Sequence, residues 1–230
     1  MDQRAPISVV IPALDAAGAL GATLAALAPA AVAGLVREVV VADGGSTDET
    51  RAIAEAAGAA VIVMAPGRGA QLAAGARQAR GDWLLFLHAD TVLEAGWEEE
   101  AAAFMRGPQN HAGVFTLAFD SKGAAASLVT AGAMLRTRLF GAPYGDQGLL
   151  VSRSLYAAAG GFRPLPLMED GEFVDRLKKH GRLTVFRSRA VTSARRYERD
   201  GYAKRVLKNL CCITMYRLGV APERIAAFYQ

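Results

Sequence analysis

The chain of 230 residues is 52% hydrophobic and 21% charged, a globular balance that argues against disorder. Its apolar runs, Trp83–Leu87 among them, fall far short of the roughly 18 residues of a membrane span, and the start, Met1 to Ile7, leads into Pro12 without the apolar stretch of a secretory leader. The net charge of +4 is unevenly placed, with twelve Lys or Arg against only Glu198 and Asp200 between Arg176 and Lys208; that density suits phosphate-bearing ligands, an anionic surface or a solvated face, and no motif points to nucleic acid.

The first ninety residues alternate between two periods. Ile7–Ile11 reads as a β-branched strand closed by Pro12, and Leu20, Leu24 and Leu27 recur at helical spacing until Pro29. Glu38–Ala42 is a second strand, stopped by Asp43-Gly44-Gly45. Ser46 with Glu49 three residues on is a capping-box pattern, which predicts a helix from there to Gly58. Ala60–Met64 is a third strand, Gly69–Arg80 a small-residue helix, and Trp83–Leu87 a fourth strand. Strands apolar throughout and separated by helices predict a parallel sheet covered on both faces, with ligands outside the carboxyl ends of the strands.

The second half is less regular. Helices are expected over Trp97–Met105, Ala124–Arg138 and Asp170–His180, and strands over Ala112–Phe119, Gly148–Ser152, Leu183–Phe186 and Ala190–Ser193. A long amphipathic helix should run from Asp200-Gly201 to Leu218, and a short one from Pro222. Cys211 and Cys212 are adjacent, which suggests neither a disulfide framework nor a zinc site and fits a reducing cytoplasm.

Three predicted strand ends carry acids on one edge: Pro12-Ala13-Leu14-Asp15, Asp43-Gly44-Gly45-Ser46-Thr47-Asp48 and His88-Ala89-Asp90. Clustered carboxylates repel each other unless a cation or the donors of a ligand offset them. Asp43 could accept from a base or ribose while Gly45 lets a ligand approach the backbone, or it could simply shape a turn. Gly67-Arg68-Gly69-Ala70-Gln71 opens a helix whose free N–H groups suit an anion. Strand alternation puts His88 and Asp90 on one side, able to face a divalent ion.

The ordered set ISVVIPALD, VVVADGGSTDET and GRGAQLAAGARQARGDWLLFLHAD, followed by Gly160-Gly161-Phe162 and Leu167-Met168-Glu169-Asp170, resembles family 2 glycosyltransferases of the GT-A fold. The resemblance implies a single α/β domain with a mostly parallel sheet: a nucleotide-binding half to about residue 95, an acceptor half over 96–198, and C-terminal helices over 199–230. It implies that Pro12, Asp15, Asp43, Gly45 and Arg68 or Gln71 frame a uridine, that Asp90 faces a metal, and that Asp170, with Glu169 beside it, is the catalytic base. The first acid of the family's D-x-D is His88 here, which leaves Mg²⁺ or Mn²⁺ as an open expectation; Mn²⁺ accepts imidazole more readily.

Pro143 to Gly148 and Ser193 to Gly201 are similar to a small cytoplasmic subgroup that includes a selenosugar synthase. By that resemblance the donor is UDP-N-acetylglucosamine and the acceptor selenophosphate. Arg195, Arg196 and Arg153 would guide the anion, and Asp146 and Gln147 would hold the sugar. The other readings are transfer to a hydroxyl or lipid phosphate, with the 201–218 helix on a membrane, and a non-catalytic sugar-nucleotide-binding module. No stable membrane attachment is expected, and the C-terminal helices suit a homodimer.

Overall fold

The computed structural model describes residues 5–229, so most of the Met1 to Ile7 start lies outside the described residues. In chain order the elements are β1 (Ile7–Ala13), α1 (Ala17–Ala25), α2 (Ala28–Val32), β2 (Val36–Asp43), α3 (Thr50–Ala56), β3 (Ala60–Val63), α4 (Arg68–Gln78) and β4 (Trp83–Phe86). Then come β5 (Thr91–Leu93), α5 (Trp97–Met105), β6 (His111–Phe119), α6 (Ala124–Phe140), a 3₁₀ turn at Gly145–Gln147, β7 (Leu149–Ser152) and α7 (Arg153–Ala158). The chain ends with α8 (Glu169–Leu177), β8 (Arg182–Thr192), α9 (Arg195–Asp200), α10 (Tyr202–Arg217) and α11 (Pro222–Tyr229).

One eight-stranded sheet takes the order β3-β2-β1-β4-β7-β6-β8-β5. The first four members are parallel, β7 runs against both β4 and β6, and β6 and β8 are again parallel. The alternation of the strands sorts their side chains into two cores. Ile7, Val9, Ile11, Leu85 and Leu87 pack with Leu20 and Trp97 on one face, while Val10, Leu84 and Phe86 meet Leu72, Phe162 and Phe173 on the other. Each such large side chain, once buried, contributes about 1.5–3 kcal/mol. Close approach of α4 is enforced by Gly75, where a Cβ would fall 2.3 Å from Val10 Cγ1.

Several expectations are corrected. The capping box does not form: α3 starts at Thr50, and Ser46 instead donates to Asp43 and accepts the Asp15 N–H at 2.9 Å. The two strands expected near 183 and 190 are one strand, β8, whose pairing with β6 slips between Val114 and Thr116. At that bulge the Glu100 carboxylate accepts the N–H groups of Arg187 and Ser188 at 2.9 Å each. Burial alone would raise the Glu100 carboxyl, but these bonds outweigh it and hold it below its ordinary value. α2, β5, α7 and α9 were not anticipated; Pro29, read as a helix stop, lies in the first turn of α2.

Candidate active site

The carboxyl ends of β1, β2 and β4 do meet on one edge, and the loops after them are stitched together. Asp15 sits at φ +46, and its Oδ1 accepts the Thr47 N–H at 2.9 Å. Asp48 Oδ2 accepts the Ala17 N–H at 3.0 Å. Asp43 is fully buried; its Oδ2 accepts from the backbone of Gly45 and Ser46 and its Oδ1 from the Ser46 hydroxyl. Gln71 donates to the carbonyls of Ala13 at 2.8 Å and Ala42 at 2.7 Å, and its Oε1 accepts from Gly67. Both side chains therefore tie the backbone of the cradle together. What they leave facing solvent is the exposed Asp15 and Gly45 beside a half-buried Pro12.

Beyond β4 lies a cleft, open at its mouth, with Arg68, His88, Tyr144, Gly145, Glu169 and Asp170 around an apolar floor. His88 packs onto Gly145, where a Cβ would meet its Nε2 at 2.4 Å. Burial, then the guanidinium charges of Arg68 and Arg196, hold the imidazole well below its usual pKa, so it is neutral at pH 7. Asp170 opens α8 and fastens the neighbouring turn: its Oδ2 accepts the Gly145 N–H at 2.7 Å.

Glu169 differs from its neighbour. It is 2% exposed and lies 3.5 Å from Arg68 Nη1, and its Oε1 has no hydrogen-bond partner. Burial, with the Asp170 charge adding to it and Arg68 opposing, pushes its carboxyl up to about 7. Asp146 has a similarly unpartnered buried Oδ1, and burial raises its carboxyl to about 6. Gln147, expected to hold a sugar, is turned into the core instead. Its Oε1 accepts from Thr137 at 2.7 Å and its Nε2 donates to the Phe115 carbonyl at 3.1 Å.

The arginines separate into two groups. Thr91 pairs with Thr192, so Asp90 precedes β5 at the end of the strand pair where β8 leads on to Arg195 and Arg196. Both arginines are exposed; Arg195 reaches within 3.7 Å of where a Gly18 side chain would begin, and Arg196 acts on His88. Arg153 is corrected: it binds the carbonyls of Gly81, Ala76 and Ala79 at the opposite end of the sheet, away from the cleft. Sequence reasoning missed Arg136, whose guanidinium stacks 4.0 Å over Tyr144 of the cleft. The Arg136-x-Arg138 pair just before Pro143-Tyr144 was the available signal.

For a divalent cation the donor chemistry is lean. No cluster of three His, Cys, Asp or Glu able to hold a metal occurs among the described residues. A neutral imidazole and one carboxylate, His88 and Asp90, fit an ion whose remaining ligands are diphosphate oxygens and water, which is how Mg²⁺ commonly binds. Mn²⁺, which accepts imidazole more readily, suits the mixed nitrogen and oxygen pair better.

Comparison with known proteins agrees with this architecture. Glucosyl-3-phosphoglycerate synthases of Mycolicibacterium paratuberculosis and Mycolicibacterium smegmatis are 39% and 36% identical over 95 residues, which is 37% of this chain. The match spans under a third of those relatives, 29% and 31% of their length. The Mycobacterium tuberculosis glucosyl-3-phosphoglycerate synthase, solved with Mn²⁺, UDP and glucosyl-3-phosphoglycerate, superposes over 94% of this chain and 80% of its own, with a TM-score of 0.61 at 22% identity. A further mycobacterial protein structure covers 82% of this chain and 65% of its own, with a TM-score of 0.59 at 26% identity. The family model "Glycosyl transferase family 2" matches residues 8–143, more than half of the sequence and all of the strand-end edge built above, and the chain belongs to that family.

Proposed function

We propose that the protein transfers a sugar from a UDP-sugar to a small anionic acceptor with inversion at the anomeric carbon. UDP-N-acetylglucosamine and selenophosphate are the proposed pair. The observation that carries this reading is the cationic setting of His88: Arg68 and Arg196 act on a neutral imidazole where the resembling enzymes hold an acid. Replacing a negative group by a neutral one within the field of two guanidiniums leaves charge for a second anion beside the diphosphate.

In the transfer, the acceptor atom forms a bond to the anomeric carbon as the bond from that carbon to the diphosphate oxygen breaks. The electron pair leaves on UDP, and Arg68, Arg195 and Arg196 offset its charge. Selenium of selenophosphate attacks as an anion and needs no base. A hydroxyl acceptor must lose its proton, and Glu169 is the better placed recipient. Its Oε1 faces Arg68 at 3.5 Å but accepts no hydrogen bond, and its carboxyl lies near 7, whereas Asp170 is engaged with Gly145 and acts as a positioning residue. Asp146 would accept a hydroxyl or amide N–H of the sugar with its free Oδ1. A divalent ion held by Asp90 and His88 would add Lewis-acid charge at the leaving diphosphate.

The relatives' names favour a second pair, a glucosyl donor with phosphoglycerate. Incubation of the protein with each donor and each acceptor, with water as control and mass detection of product, separates the two. Selenosugar formation is expected. UDP release with phosphoglycerate and none above water with selenophosphate would replace the first pair by the second. The anomeric coupling constant of the product tests inversion.

A further inference from the structure

Of twelve exposed large apolar side chains among the described residues, eight lie on α6, on α10 and at the residue that ends α10. They form rows. On α6, Leu128, Leu135 and Leu139 are 75%, 59% and 66% exposed, spaced seven and four residues apart. On α10, Leu207, Leu210 and Leu218 are 62%, 56% and 78% exposed. The two helices pack side by side, and both rows are exposed. Between the α6 leucines lie Ala131 and Gly132, both exposed, and a side chain at 132 would meet nothing within 4 Å. Leucine knobs alternating with small-residue hollows at heptad-like spacing are the pattern of one helix packing on another.

We propose that this face is the interface of a homodimer, with a second copy of the chain related by a two-fold axis. The area is sufficient. Eight side chains largely exposed offer on the order of 900 Å² per copy, against about 800 Å² per partner in a stable complex and about 300–600 Å² in the largest patch of an ordinary monomer.

Charge distinguishes a second copy from a lipid surface. Neither α6 nor α10 contains an acid, and together they hold six cations: Arg136, Arg138, Lys204, Arg205, Lys208 and Arg217. Four of these are engaged within the chain. Arg136 donates to the Ala142 carbonyl, Arg205 binds Asp200 and Tyr229, Lys208 lies 5.3 Å over the Tyr229 ring, and Arg217 pairs with Asp175 at 3.1 Å. Arg138 and Lys204 are left. An anionic membrane would gain little from two free cations, and two copies would repel each other little through them. The interface has a place in the function, because α6 leads directly into the Gly145 turn and α10 follows Arg195 and Arg196.

The test is the mass of the full chain in solution, by sedimentation equilibrium at micromolar concentration. A species of twice 24.2 kDa is expected. Leu135→Glu with Leu207→Glu should yield monomer. Gly132→Arg, which improves helix propensity and so guards against misfolding, should raise the dissociation constant by on the order of 100-fold. Val63→Glu, at a position 57% exposed on the far strand β3, should leave the dimer intact. A monomeric wild type overturns the proposal, as does a dimer untouched by Gly132→Arg and by the double change. A monomer that sediments with phosphatidylglycerol vesicles overturns it in favour of a lipid surface; the expected protein stays in the supernatant.

Discussion

His88 and Gly145 are fitted to each other, since a Cβ at 145 would fall 2.4 Å from the imidazole Nε2. Gly145→Ala must therefore move the ring or open the turn that Asp170 fastens. UDP release is expected to fall about 100-fold, the scale of an ångström-sized misplacement, while the melting temperature changes by only a few degrees. Glu169 gives a test that does not depend on substrate. Its carboxyl rises from an ordinary 4.5 to about 7 in the folded chain, so folded molecules keep a proton that unfolded ones have lost. The resulting stability is complete below about pH 4.5 and is lost as pH climbs to about 7. Glu169→Gln stays neutral throughout, so its melting temperature should gain on that of the wild type between pH 5 and 8. A flat difference across that range would contradict the buried, ion-paired carboxyl described here.

Among the elements, β1 to β4 and the helices between them were legible because their signals are local: apolar runs of strand length, helical spacing, and glycine or proline stops. The capping box misled because Ser46 found a stronger use, across the chain, with Asp43 and Asp15. β8 read as two strands because Arg187 and Ser188 interrupt its apolar pattern; they lie at a bulge stabilised by Glu100, a partner 87 residues away. The same limit applies to the site. Acids at strand ends could be found by position, but whether a side chain faces a ligand or its own backbone depends on distant carbonyls, as Gln71 and Gln147 show. Gln71→Leu would take one hydrogen bond from each of the Ala13 and Ala42 carbonyls, the first of which keeps the Gly44 N–H. A loss of about 1–3 kcal/mol is expected in urea unfolding, with the slope unchanged if the fold persists.

At the scale of the whole molecule, the two halves named from the sequence are joined by contacts remote from the cleft. Arg153, in the acceptor half, donates to three carbonyls at the end of α4 and the loop that follows. Arg153→Met keeps the stem and removes those bonds. It should lower stability by about 2–3 kcal/mol and leave the Michaelis constant for donor within twofold, because the guanidinium lies at the opposite end of the sheet from the ligands. A large rise in that constant would place Arg153 back in the site.

Strand β4 carries a consequence for how such a chain can be rearranged. It hydrogen-bonds to β1 on one side and to β7, more than sixty residues later in sequence, on the other. A fragment cut near residue 95 would therefore expose Trp83–Phe86 as a bare, apolar, unpaired edge, the kind that recruits other strands and aggregates. The nucleotide cradle is thus not a transplantable module. Recombination that exchanges acceptor specificities must carry β7 along or supply an equivalent strand, and a crossover placed between β7 and β8 must in turn supply a partner for β5 and β6 in place of β8.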